Sequence, residues 1–186
     1  MGQISDKLIK RLGKNRKLAD EIRREAGSIQ AALDALKRGP TARPSRWDDL
    51  DPLHDLFIAI QNLTSVFAER VSLFPEFKPY YVLVDDAEDE YMPDGPPMSP
   101  LTRSYFTTWA FFDLRFGPDR ETIGSCLLDV AGPLGIAEEV TRAIRLMSET
   151  RMGIYEQAGV KGGRCLLREL ITDDKFLTVT DFGAGP

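Results

Sequence analysis

Apolar residues recur every three or four positions over the first 72 residues, and closer to every second position over much of the rest. Leu18, Ile22, Ala26, Ile29, Leu33 and Leu36 fall on one stripe, which predicts an amphipathic helix over 18–38. Gly39 and Pro40 stop it, because glycine accepts a left-handed cap and proline cannot continue a helix. Ile4, Leu8 and Leu12 extend the rhythm toward the N-terminus, with the basic run 13–17 interrupting it. After a polar, proline-containing linker at 39–46, a second helix is expected from about Asp51 to Ser72. Asp51 suits the N-cap and Pro52 the first helical position, where a missing N–H costs nothing. Leu53, Leu56, Phe57, Ile60, Leu63, Phe67 and Val71 form its apolar face. Two such seams suit an αα-hairpin or an intermolecular bundle.

Beyond residue 76 the pattern changes. Residues 77–84, FKPYYVLV, combine aromatic and β-branched residues and predict a strand, followed by an acidic, proline-rich loop over 85–100. Phe106, Thr108, Ala110, Phe112, Leu114 and Phe116 alternate, which predicts a long strand over 103–117. The helical alternative for that stretch would leave a smaller sheet packed under three or more helices. A second strand is expected at 122–130, joined to the first by a turn at 117–120. Residues 132–135 break the chain, and a helix follows at 137–149 with Val140, Ile144 and Met147 on its apolar side. Short strands are expected at 152–157, 164–171 and 176–180. The sum is an α+β chain: an N-terminal helical hairpin followed by a mostly antiparallel sheet with one inserted helix.

Composition adds a division. The chain has 186 residues, one ordinary domain's length, and a formal net charge of −5. Residues 1–46 hold 12 Lys/Arg against 5 Asp/Glu, a balance of +7, whereas residues 47–186 hold 12 against 24, a balance of −12. A basic helical lead-in (1–46) therefore precedes an acidic α+β body (47–186). No apolar run reaches the ~18 residues of a membrane span, and the first residues carry no apolar leader. Asp6 stands where a myristoylation motif needs Ser or Thr. Cys126 and Cys165 lie in apolar runs without C-x-x-C spacing, which reads most plainly as two buried free thiols in a reducing cytoplasm, with a single disulfide as the alternative.

Several chemistries lack their residues. His54 is the one histidine, near the start of a predicted helix and away from its apolar stripe, and no G-x-S-x-G elbow supplies a serine. Neither phosphate-loop pattern occurs, so no cofactor is indicated by motif. The glycines of 159–164 read as a hairpin turn, and Asp181-Phe182-Gly183 stands without any other kinase element.

Three clusters carry candidate chemistry. Asp85, Asp86, Glu88, Asp89, Glu90 and Asp94 form an acidic run. Asp85, Asp86, Asp89 and Asp94 are candidate ligands for a hard divalent cation, although EF-hand spacing is not met. Basic residues between 7 and 24 (Lys7, Lys10, Arg11, Lys14, Arg16, Lys17, Arg23 and Arg24) could meet nucleic acid, an anionic membrane or the chain's own acidic body. Interleaved acids and the lack of aromatics favour a solvated face or the acidic body. Arg103, Asp113, Arg151, Tyr155 and Glu156, with Arg115 nearby, lie in segments otherwise rich in apolar residues. They are the candidate lining of a cleft for a small anion.

The stretches DGPPMSPLTRSYFTTWAFFDLRFG, ETIGSCLLDV and RMGIYEQAG with LLREL resemble an uncharacterised bacterial protein family, over roughly residues 80–172. The resemblance implies no activity, because that family has none assigned. It implies a further glycine-rich, aromatic segment beyond the last residue. The basic N-terminal helix lies outside it.

These observations favour a cytoplasmic, non-enzymatic interaction or regulatory domain that binds a protein partner or itself through its N-terminal helices. The alternatives are a metal-dependent enzyme acting on a phosphorylated or nucleic-acid substrate, and a sensor of a small anionic ligand.

Overall fold

The computed structural model describes residues 1–38, 52–91, 98–150, 153–162 and 164–178. Among the described residues seven helices come first: α1 (Gln3–Leu12), α2 (Arg16–Arg38), α3 (Pro52–Val71), α4 (Lys78–Tyr91), α5 (Pro100–Phe112), α6 (Ile123–Ala131) and α7 (Glu138–Glu149). A single 3-10 turn, Pro75–Phe77, leads into α4. Three strands end the described chain: β1 (Tyr155–Lys161), β2 (Arg164–Glu169) and β3 (Lys175–Thr178). The class is α+β, with a small antiparallel sheet in the order β1-β2-β3.

The N-terminal hairpin forms as its stripes predict. Leu18, Ile22, Ala26 and Ile29 of α2 are buried with Ile60, Leu63, Phe67 and Val71 of α3 in one contiguous core. Arg70 near the end of α3 pairs with Glu21 near the start of α2, at 2.9 Å, so the two helices run antiparallel. The linker and the expected Asp51 cap, like the division drawn at residue 46, lie outside the described residues. The expected helix at 137–149 is α7.

Three expected strands are helices instead. Residues 78–84 belong to α4, which continues past Glu90 to Tyr91, so 85–91 are helix where a loop was expected; 92–97 lie outside the described residues. Tyr80, Val84 and Ala87 recur at helical spacing; Tyr80 is buried and the other two are half-buried. The 103–117 stretch is mostly α5. Its start is set by Ser99, whose hydroxyl accepts the Thr102 N–H at 3.1 Å, with Pro100 in the first turn. The 122–130 stretch is α6, opened by a capping box in which Thr122 and Ser125 exchange side-chain-to-backbone hydrogen bonds at 3.0 and 2.9 Å. The turn at 117–120 is present, closed by the Phe116 N–H donating to the Glu121 carbonyl at 2.9 Å. Burial explains the outcome. Ile123, Cys126, Leu127 and Val130 are fully buried, and α6 packs against α1, α3, α5 and α7. A central position buried on most sides favours a continuous apolar run in either helix or strand, so β-branched content was a poor guide. The expected sheet with one inserted helix is thereby reduced to three C-terminal strands.

Glu121 ties the chain's two halves together. Its buried carboxylate accepts the Ile4 N–H at 3.0 Å and both the N–H and hydroxyl of Ser5, at 2.9 and 2.7 Å. These amides belong to the first turn of α1, where no intrahelical acceptor exists and the dipole favours an anion. Asp119 adds a bond from the Gln3 N–H at 2.8 Å. The approach needs a residue without a side chain, since a Cβ on Gly2 would lie 2.2 Å from the Glu121 carboxyl carbon. Gly117, at φ +70, lies under the Ile4 side chain in the same way.

The sheet stands apart from this core, and none of its residues joins the contiguous buried cluster. Glu156 and Arg168 face each other across β1 and β2 and pair at 2.6 Å. The buried carboxylate of Glu169 closes the β2–β3 turn by accepting the N–H groups of Ile171 and Thr172, which holds its pKa below the usual value. Gly159 and Gly162 fall in the β1–β2 hairpin, as expected, and Gly163 lies outside the described residues.

Candidate functional site

Helices α3 and α5 flank a cleft of about 340 Å³, closed at one side by Met147 of α7. Its apolar floor includes Ile60, Phe111 and Phe112. Polar side chains line its walls. From α3 come Gln61, Asn62, Thr64 and Ser65, and from α5 come Arg103, Ser104, Thr107 and Thr108. Two of the hydroxyls are held by their own helices: Thr64 donates to the Ile60 carbonyl at 2.8 Å, and Thr108 to the Ser104 carbonyl at 2.9 Å. The side chains of Gln61, Asn62, Ser65, Arg103 and Thr107 make no hydrogen bond or ion pair among the described residues. Among the described lining residues Arg103 alone is charged, and no described carboxylate faces it in the cleft.

The sequence-level candidates separate in space. Arg103 lines the cleft. Asp113 is the exposed C-cap of α5, and its N–H donates to the Trp109 carbonyl at 2.8 Å. Tyr155 and Glu156 are on β1, Tyr155 edge-on to Phe176 at 6.1 Å and Glu156 engaged by Arg168. Arg151 lies outside the described residues. Of the candidate metal ligands, Asp85, Asp86 and Asp89 are exposed on α4, and Asp94 lies outside the described residues. No group of three or more potential ligands converges among the described residues. His54 is half-buried in the first turn of α3, its ring 6.5 Å from that of Phe57.

Gln61, Asn62 and Ser65 were missed by sequence reading. Their signal is a polar patch, Gln61 to Ser65, broken only by Leu63 and set between the apolar runs 56–60 and 66–68.

A second groove of about 640 Å³ runs between α4 and α5. Tyr91, Tyr105 and Trp109 line it while remaining 63%, 51% and 37% exposed, and Glu90 stands at its edge.

Both cysteines are free and buried. Burial pushes the Cys126 thiol up to about 12, aided by the nearby Glu121 and Asp129 charges. Burial also pushes Tyr81 up to about 12, and its hydroxyl donates to the Ala68 carbonyl. Neither group is poised for chemistry near neutrality. Among the described residues no helix is long and apolar enough to cross a membrane. Comparison with protein-family models, with curated proteins and with solved structures finds no match.

Proposed function

We propose that this chain is a cytoplasmic regulatory domain that binds a small anionic molecule in the cleft between α3 and α5. The observation that carries this reading is Arg103: among the described residues it is the one cation on the cleft wall, without a counter-ion and beside neutral donors. A guanidinium fork matches a carboxylate or a phosphate oxygen pair, and the amides and hydroxyls opposite complete the shell. The floor of Ile60, Phe111 and Phe112 accepts a short apolar part of the same molecule. A volume of about 340 Å³ suits a metabolite-sized ligand. Two buried free thiols support a reducing compartment.

A thermal-shift panel of inorganic phosphate, short monocarboxylates and nucleoside monophosphates tests the proposal. A ligand at one hundred times its Kd stabilises by about 2.7 kcal/mol, or roughly 5–10 °C for a chain of this size. The shift should vanish in Arg103→Gln, whose exposed side chain makes folding insensitive to the change. No shift across the panel, or an equal shift in the variant, overturns the reading.

A further inference from the structure

Helix α4 is electrostatically unfavourable on its own. Asp85, Asp86, Glu88, Asp89 and Glu90 are all exposed, and none joins an ion pair among the described residues. Asp85 repels Asp89 and Asp86 repels Glu90 one turn away, and the last turn has no basic residue to offset the negative helix end. Alongside lies the aromatic groove, with Tyr91, Tyr105 and Trp109 open to solvent. Carboxylates beside exposed aromatic faces are the chemistry that receives a cationic side chain, by ion pairing at one end and cation–π contact at the other.

The same chain carries such cations. Lys7, Lys10, Lys14, Arg16 and Lys17, at the corner where α1 meets α2, are exposed and form no ion pair among the described residues. Other charges of the basic lead-in are already matched within the molecule. Arg11 pairs with Glu76 at 2.9 Å, Arg23 with Asp20 at 2.7 Å, and Lys37 with Glu139. The two unmatched sets, five cations and five carboxylates, stand on different elements with no ion pair joining them within one copy.

We propose that two copies of this chain associate, the basic α1–α2 corner of one seating on the acidic, aromatic α4–α5 groove of the other. A twofold arrangement makes the contact twice, because each copy offers both surfaces. The contact is separate from the Arg103 cleft and stands whether or not that cleft binds an anion.

The test is light scattering and sedimentation of the full chain across concentration and salt, with two charge-reversed variants. One carries Lys10→Glu, Lys14→Glu and Lys17→Glu; the other carries Asp85→Lys, Asp86→Lys and Asp89→Lys. All six positions are exposed, and circular dichroism checks that each variant is folded. The wild type should dimerise at low salt, with affinity falling at least about tenfold at ten times the ionic strength. Each variant alone should be monomeric. An equimolar mixture should form a heterodimer, because the first then presents acid on both surfaces and the second presents base on both. A wild type that is monomeric at all concentrations overturns the proposal, as do a dimer indifferent to both reversals and a mixture that stays monomeric. A monomeric chain that captures a lysine-rich peptide also overturns it, by giving the groove to another protein.

Discussion

Replacing Glu121 with Gln removes one oxygen from a carboxylate that serves four donors, the weakest being the Cys126 thiol at 3.9 Å from Oε1. Oε1 accepts the Ser5 N–H and hydroxyl, and Oε2 accepts the Ile4 N–H. The amide can keep its oxygen on the Ser5 side, which leaves its NH2 facing the Ile4 N–H. One buried donor unsatisfied costs about 1–3 kcal/mol. Losing the negative charge from the α1 N-terminus adds about 0.3–1 kcal/mol, more where the site is buried. The variant should therefore be roughly 2–4 kcal/mol less stable. For a chain of this length that lowers Tm by roughly 5–15 °C. Urea unfolding followed by circular dichroism measures it, provided the m-value is unchanged. Asp119→Asn is the control: its acceptor is exposed and serves one amide, so the loss should stay under about 1 kcal/mol. A Glu121→Gln variant within about 0.5 kcal/mol of wild type would refute the view that this side chain clamps α1 to the α5–α6 turn.

Other perturbations follow from the same contacts. Phe67 is fully buried, and Phe67→Ala should cost about 3–5 kcal/mol in the same urea assay. Gly117→Ala places a side chain at φ +70 against Ile4 and should cost about 1–2 kcal/mol; a neutral result would mean that the turn relaxes freely. Arg11 donates to Glu76 and holds its pKa below 4.5, so the stabilisation is fully present above pH 4.5 and fades as pH falls through the lowered value. Glu76→Gln should accordingly lower stability near neutrality and lose its effect in acid; an equal deficit at both would contradict the ion pair. Cys126 should resist an aromatic disulfide reagent in the native state and react on unfolding; mapped native labelling at full rate would show that α6 opens readily.

Helices with one apolar stripe and one wet face were legible in the chain: α1, α2, α3 and α7 each show the 3.6-residue rhythm in their buried residues. Helices α4 to α6 were misread because their aromatic and β-branched residues suggested strands. For α5 and α6 the caps were the better evidence, Ser99 before Pro100 and Thr122 with Ser125 three residues on. Those signals act locally, whereas β preference reports mainly burial. Arg103 was readable as a cation in an apolar segment. Its neighbours in the cleft were not, because Gln61, Asn62 and Ser65 lie on a helix some 40 positions earlier in the chain. The reach from Glu121 to Ser5, a separation of 116 residues, leaves no mark on local sequence pattern.

The three C-terminal strands contribute nothing to the contiguous helical core, and β1 is exposed along its whole length. Their folding free energy is therefore largely their own. The sheet should behave as a separate cooperative unit, opening and closing many times while the helices stay intact. Amide hydrogens of β1 and β2 would then exchange at rates set by that local opening, far faster than those of α6. A ligand or a second copy acting on the helices would raise protection in the helical body and leave exchange in the sheet unchanged.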